Sequence, residues 1–316
     1  MKSDDKSVEL KPLLPNEPRQ LDWEEQSRLT QQFLYPVLAE LEGFLLRLRA
    51  TLDPQLAADF PIKANKPYPL GQCLEISLAV KKRLEEISPN ELKADDVVAF
   101  NAIQQFSSNG GIIRQIWGDL RGQYFQNAFL FGDLYVDASN DTVVATKPKV
   151  EILPFAQSNL SAIKDFYHFA QLAQRYWKAE IFPNHMFPVL APYVPLLVRF
   201  ADGEIQILDS SKYMIMLTTS ARFQPSLDFL SQAAMPLDVF DSIRTILKDS
   251  GLILPDSPEV GRELAITNCQ HCFDDDTYAA DEQIGLAIER ILRVNTYLKM
   301  INRVPSIRQQ VICEID

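Results

Sequence analysis

Cys73 is the residue in this chain best placed to do chemistry. It follows Pro67, Pro69 and Gly71 in FPIKANKPYPLG, and then QCLEISLAVKKRLEEI begins a helical pattern. Proline and glycine break the chain just before the sulfur, so the spacing puts Cys73 at a helix N-terminus. The partial positive charge there favours a thiolate, which is the nucleophilic form. A cysteine of this kind also packs readily as a small hydrophobe. Downstream, YFQNAFLFGDLYVDAS (124–139) reads as two strands around a turn, with Gln126 and Asn127 near the front of the first strand. The second strand ends on Asp137. A thiol enzyme needs a base within reach of the sulfur. Asparagine cannot accept and return a proton near neutral pH.

Three histidines are available as bases. His168 falls among aromatic residues in a helical stretch and reads as a helix-face residue. His185, in FPNHMFP, lies in a loop between prolines and is the better candidate base, since loops carry function disproportionately. His271 belongs to NCQHCFDDD (268–276), where Cys269, His271 and Cys272 form a single Cys-x-x-Cys with an adjacent histidine. A structural zinc site needs four ligands, usually with a second pair at a distance, and Cys313 and His185 would complete a set only by an accident of the fold. The motif is therefore a weak metal candidate, and no metal or cofactor is expected. Asp274, Asp275 and Asp276 lack the alternation and glycine of a calcium loop. No Gly-rich phosphate loop, G-x-S-x-G elbow or H-E-x-x-H helix occurs.

The elements that must position these residues follow from hydrophobic spacing. Residues 1–20 are polar with three prolines and read as a mobile tail. A helix is expected over 22–50, with Asp22 and Glu25 in a capping-box arrangement and Pro36 either starting a new segment or kinking the helix. The Cys73 helix shows a stripe of Ile76, Val80, Leu84 and Ile87, and Ser88-Pro89-Asn90 stops it. Another helix spans 95–106. Strands are expected at 112–117, 128–131 and 134–139. Gly132-Asp133 forms a two-residue turn of type II′, and TVVAT (142–146) extends the sheet. A soft boundary falls near 150. Beyond it the pattern predicts a helix over about 158–180, a hairpin turning at Asp202-Gly203, a strand at 213–219, and helices over 226–249 and 281–302. Hairpins in place of repeated βαβ units give an α+β fold. The first domain (21–150) has its cysteine at the head of a helix, followed by antiparallel hairpins. The second region (151–316) mixes helices with a hairpin and has no assigned role.

The order of these pieces resembles the transglutaminase-like branch of the papain-type thiol fold. PLGQCLEISLAV is similar to that family's cysteine-headed helix. QNAFLFGDLYVDAS is similar to its histidine strand followed by an aspartate strand ending in a VDAT-like context. The resemblance covers about residues 60–145. It implies Cys73 as nucleophile and Asp137 as the acid that orients an imidazole. The histidine position falls on Asn127, with Gln126 beside it. A family member without its base is expected to be a degenerate one, acting by binding a peptide or protein partner. Two other readings stand beside it: an active thiol hydrolase or acyl transferase (amidase, peptidase or transglutaminase type) using Cys73, and a two-domain interaction scaffold unrelated to the family.

Composition narrows the classes. Of 316 residues, 47% are hydrophobic, which is enough for a sizeable core in one large domain or two smaller ones. The net charge of -11, from 31 basic and 42 acidic residues, argues against general affinity for nucleic acid or an anionic membrane. The N-terminus shows no apolar signal core and no stretch reaches a membrane span, so no membrane association is expected. Four cysteines are too few for a disulfide scaffold. Reduced thiols in the cytoplasm are the expectation, with export by a C-terminal or internal signal as the alternative.

Overall fold

The computed structural model describes residues 13–63, 66–207 and 212–302. The fold is mixed α and β with antiparallel sheets, and the chain divides into two units, Met1–Ala162 and Ile163–Asp316. The change of unit falls some twelve residues beyond the boundary expected near 150, because the strands after that point still belong to the first sheet.

In the first unit, α1 (Trp23–Phe33) and α2 (Leu38–Asp59) are separated by a short 3-10 turn around Pro36. The proline breaks the helix where its missing N–H would have been needed. Asp22 occupies the N-cap but its side chain makes no cap hydrogen bond, so the expected capping box does not form. A two-stranded ribbon, β1 (Ile62–Lys63) and β2 (Lys66–Pro67), leads to α3 (Cys73–Glu86). Ser88 and Glu91 then form a capping box on a 3-10 turn, which ends the helical run before α4 (Ala94–Ser108).

The sheet is built from β3 (Ile113–Leu120), β4 (Tyr124–Phe131), β5 (Leu134–Asp137), β6 (Glu151–Pro154) and, after the one-turn α5 (Phe155–Ser158), β7 (Leu160–Ser161). Its order is β6-β5-β4-β3-β7, all antiparallel. β4 and β5 meet at a turn in which Gly132 has φ +61° while Asp133 stays negative, the pattern of type II′. A Cβ on Gly132 would come within 2.2 Å of Thr30 Oγ1, so only glycine fits there. TVVAT does not extend the sheet; residues 140–142 form a 3-10 turn and β6 supplies the next strand.

Alternation along the strands gives the sheet two faces. One face turns Phe129, Phe131, Leu134, Val136 and Ala138 toward α2, α3 and α4, where they meet Leu41, Phe44, Ile76, Val80 and Phe106. The other gathers Ile116, Leu120, Ala128, Leu130, Tyr135 and Leu160. Residues 14–19 lie along β3 instead of forming part of a mobile tail. Trp117 N–H donates to the Asn16 carbonyl over 2.7 Å, and the Arg114 guanidinium donates to the Glu17 and Arg19 carbonyls.

The second unit has a three-stranded antiparallel sheet of order β10-β9-β8, from β8 (Glu180–Pro183), β9 (Leu196–Arg199) and β10 (Ile205–Ile207). Its helices are α6 (Phe166–Trp177), α7 (Lys212–Ser220), α8 (Gln224–Leu230), α9 (Leu237–Leu247), α10 (Pro258–Asp274) and α11 (Asp281–Asn302). Three expectations fail here. YMIMLTT is the helix α7; its unbroken apolar run fits a buried helix as well as a buried strand. The stretch 226–249 is two helices, with Pro236 in the N-cap of the second. The helix expected from 158 begins at Phe166, where Asp165 caps it by accepting from His168 N–H over 2.7 Å. Asn295 on α11 holds β10 by bonding both the N–H and the carbonyl of Ile207, at 2.9 and 2.7 Å.

Candidate functional site

Cys73 is the first residue of α3, as the proline and glycine spacing requires, and it is 8% exposed. Gly71, with φ +76°, turns the chain into the helix, and its N–H donates to the Thr142 carbonyl over 2.8 Å. The sulfur meets β4. Asn127 Nδ2 donates to Cys73 Sγ over 3.5 Å, and the Phe125 carbonyl oxygen lies 4.0 Å from the sulfur. One turn along α3, Ser77 Oγ donates to the Asn127 carbonyl over 3.2 Å. Cys73 and Asn127 are therefore in contact. Trp117 and Phe125 stack beside them with ring centroids 5.5 Å apart.

Asp137 belongs to a different environment. Gln126 and Asn127 are neighbours on a regular strand, so their side chains leave opposite faces. Gln126 Nε2 donates to Asp137 Oδ2 over 2.7 Å, and Tyr135 Oη donates to the same oxygen over 2.9 Å. Asp137 Oδ1 accepts from Ser139 N–H at 2.7 Å and from Ser139 Oγ at 2.9 Å. The carboxylate thus lies on the face turned away from α3. Facing α3 beyond Val136 is Ala138, which is fully buried in the helix-side core. Asp137 is not positioned to orient a side chain at 127, so the residues the resemblance groups as a triad are brought together only in pairs: Cys73 with Asn127, and Asp137 with Gln126.

The electrostatics follow the geometry. Burial pushes the Cys73 thiol up; the Asn127 hydrogen bonds and Lys63 oppose this, and Asp137 adds to it. The helix N-terminus favours thiolate by roughly 1 kcal/mol at best when exposed, which does not overcome the loss of solvent. Burial also raises the Asp137 carboxyl to about 6, against the four hydrogen bonds it accepts. The segment carrying it is anchored by Arg49, which is fully buried. Arg49 donates to the Ala138 carbonyl and pairs with Asp141 at 3.2 Å and Asp53 at 3.0 Å.

The other sequence candidates lie in the second unit. His185 is fully buried. Its Nε2 bonds the Leu230 carbonyl over 3.0 Å and its Nδ1 accepts from Met235 N–H over 3.2 Å. Both ring nitrogens are used, which fixes the neutral tautomer, and burial lowers its pKa. It is a brace between two segments and has no nitrogen left to act as a base. Cys269 and Cys272 sit on the inner side of α10. Cys269 donates to the Phe223 carbonyl over 3.5 Å. Both thiols are pushed up to about 12, first by burial; Cys272 and Asp228 add to it at Cys269, and Asp275 at Cys272. Among the described residues no three His, Cys, Asp or Glu side chains are grouped to hold a metal. Cys313 lies outside the described residues.

Sequence reasoning missed the residues that complete each pair. Ser77 stands four residues after Cys73, so helical spacing alone puts it on the same face. Tyr135 and Ser139 flank Asp137 by two positions each, which is strand parity. No local signal marks Trp117. Comparison with family models, with curated proteins and with solved structures finds no match. No helix among the described residues is long and apolar enough to cross a membrane.

Proposed function

We propose that the first unit is a catalytically silent relative of the transglutaminase-like thiol enzymes, and that it works by binding a peptide or protein segment. The observation that carries the reading is the contact of Cys73 with an amide, Asn127, at the head of α3. This is the arrangement of a nucleophile and its partner, with a group that cannot move a proton in the partner's place. The Asp137 carboxylate is committed to four donors on the other side of the sheet. Binding is favoured by what the chain exposes beside the cysteine. Phe60 and Ile62 precede and enter the β1–β2 ribbon, Leu74 and Leu78 lie on the outer side of α3, and all four are exposed. The Lys63–Glu75 ion pair, at 2.6 Å, and the Gln72 Nε2 bond to the Phe60 carbonyl, at 2.7 Å, hold ribbon and helix together. An extended apolar peptide suits such a surface.

The test has two arms. Alkylation of Cys73 against pH, read by peptide mass mapping, is expected to be slow, with an inflection above the free-thiol value of about 8.5. An inflection well below that value overturns the silent reading and makes Cys73 an active nucleophile. Selection of displayed peptides on the full chain is expected to return apolar sequences whose binding falls roughly tenfold or more in Leu78→Glu. Selected peptides that ignore Leu78→Glu would remove the proposed surface.

A further inference from the structure

The second unit contains a cavity of about 130 Å³ between α10, α11 and the segment 189–193. Its floor and rim are partly apolar, with Val189, Leu190, Pro192, Leu286 and Ala287. Four polar side chains also open onto it: Asn268 and His271 from α10, and Gln283 and Arg290 from α11. Within the described residues these four side chains make no hydrogen bond or ion pair. The adjacent hydroxyl of Tyr193 does not compete for them, because it donates to the Tyr278 carbonyl over 2.8 Å.

The charge of the lining is the informative feature. The chain has a net charge of -11, yet none of the residues lining this cavity is Asp or Glu, and one is Arg. An arginine elsewhere on this surface usually finds a carboxylate of the chain itself: Arg199 pairs with Glu180 at 2.7 Å and Arg293 with Glu289 at 3.2 Å. Among the described residues Arg290 leaves its donor fork uncommitted at the edge of a concave site. A planar guanidinium with two amides nearby suits a planar, two-oxygen acceptor, and the apolar wall suits a short hydrocarbon body. The small size of the space suits a short ligand.

We propose that this cavity is a binding site for a small organic monocarboxylate, with Arg290 as the charge partner, Asn268 and Gln283 as flanking donors, and Val189, Leu190 and Leu286 against the hydrocarbon end. The site lies wholly within the second unit and is independent of the reading of Cys73.

Amide NMR titration of the full chain tests it, with butyrate and benzoate as probes and butyramide and inorganic phosphate as comparators. The expected result is saturable, millimolar binding of the two carboxylates, with shifts centred on Val189 and on the side-chain amides of Asn268 and Gln283. Arg290→Gln is expected to weaken butyrate roughly tenfold or more, and Arg290→Lys less. Val189→Trp, which fills the mouth, should abolish binding without touching the charge. Arg290 and Val189 are both exposed, so both variants should fold, and their amide spectra show whether they do. Four results would overturn the proposal: butyramide binding as well as butyrate, phosphate binding where carboxylates do not, binding unchanged in Arg290→Gln, or no saturable shift with either carboxylate.

Discussion

The two faces of the central sheet at residues 126 and 127 differ in the kind of work they do. On one, a carboxylate accepts four hydrogen bonds from Gln126, Tyr135 and Ser139. On the other, a thiol accepts one from Asn127. The groups occur in the right order along the chain for a thiol-enzyme triad, but one strand divides them. A buried carboxylate with every lone-pair direction used is a structural knot. A buried thiol with one weak donor is packed in place and makes a small contribution. The difference shows that order along a sequence does not specify a site unless strand parity agrees with it.

The largest expected effect tests the knot. Asp137→Ala leaves the donors of Gln126, Tyr135 and Ser139 without their acceptor, and should cost the first unit about 3 kcal/mol in urea unfolding. Cys73→Ala should cost about 1 kcal/mol, since it removes one small buried group. If the two costs are equal, the two faces are not energetically distinct and the comparison fails.

The next effect is pH. The Asp137 carboxyl is raised to about 6 from an ordinary 3.8. The folded state therefore holds this proton more tightly than the unfolded chain does. The resulting stabilisation is full below the unfolded value and is lost as pH rises through the folded one. The stability of wild type minus that of Asp137→Asn should fall by about 2 kcal/mol between about pH 4.5 and about pH 7.5. A flat difference would mean that Asp137 is an ordinary ionised carboxylate and that burial does not govern it.

Gly132→Ala should cost about 2 kcal/mol, because the left-handed turn and the 2.2 Å approach to Thr30 Oγ1 both exclude a side chain. That turn sets which residues of β4 and β5 share a face, so the variant sharpens the parity argument: a shift confined to stability keeps it, and a changed Cys73 environment extends it. The smallest effect belongs to the thiol. Asn127→Ala removes the donor that opposes the desolvation of Cys73, so alkylation at neutral pH should slow by a few-fold. Faster alkylation would show that the amide masks a reactive thiol.

Much of the first unit was legible in the sequence because its signals are local. Pro67, Pro69 and Gly71 set the start of α3 to the residue, and Gly132-Asp133 set the hairpin. The resemblance groups Cys73 with Asn127, and the two side chains are in contact. The side of the sheet taken by Asp137 is implied by the Gly132-Asp133 turn, since parity counted from the Phe131–Leu134 pair along β4 and β5 puts Asn127 and Ala138 on one face and Asp137 on the other. In the second unit, α7 was misread as a strand because a short apolar run fits either element, and α10 was not anticipated at all. Its buried face carries only the small residues Gly261, Ala265, Cys269 and Cys272 after Pro258, so periodicity gives little warning of it.

By itself the sequence determined the α+β class, the helix that Cys73 heads, the glycine turn after β4 and the acidic balance of the chain. Each is fixed by backbone chemistry within a few residues or by a sum over all of them. Only the tertiary structure decided that Asp137 takes its hydrogen bonds from Gln126, Tyr135 and Ser139, that His185 has both nitrogens engaged, and that Arg290 opens onto a cavity lined by no carboxylate. Those depend on which residues distant in the chain come within hydrogen-bonding reach, and local propensity does not encode that distance.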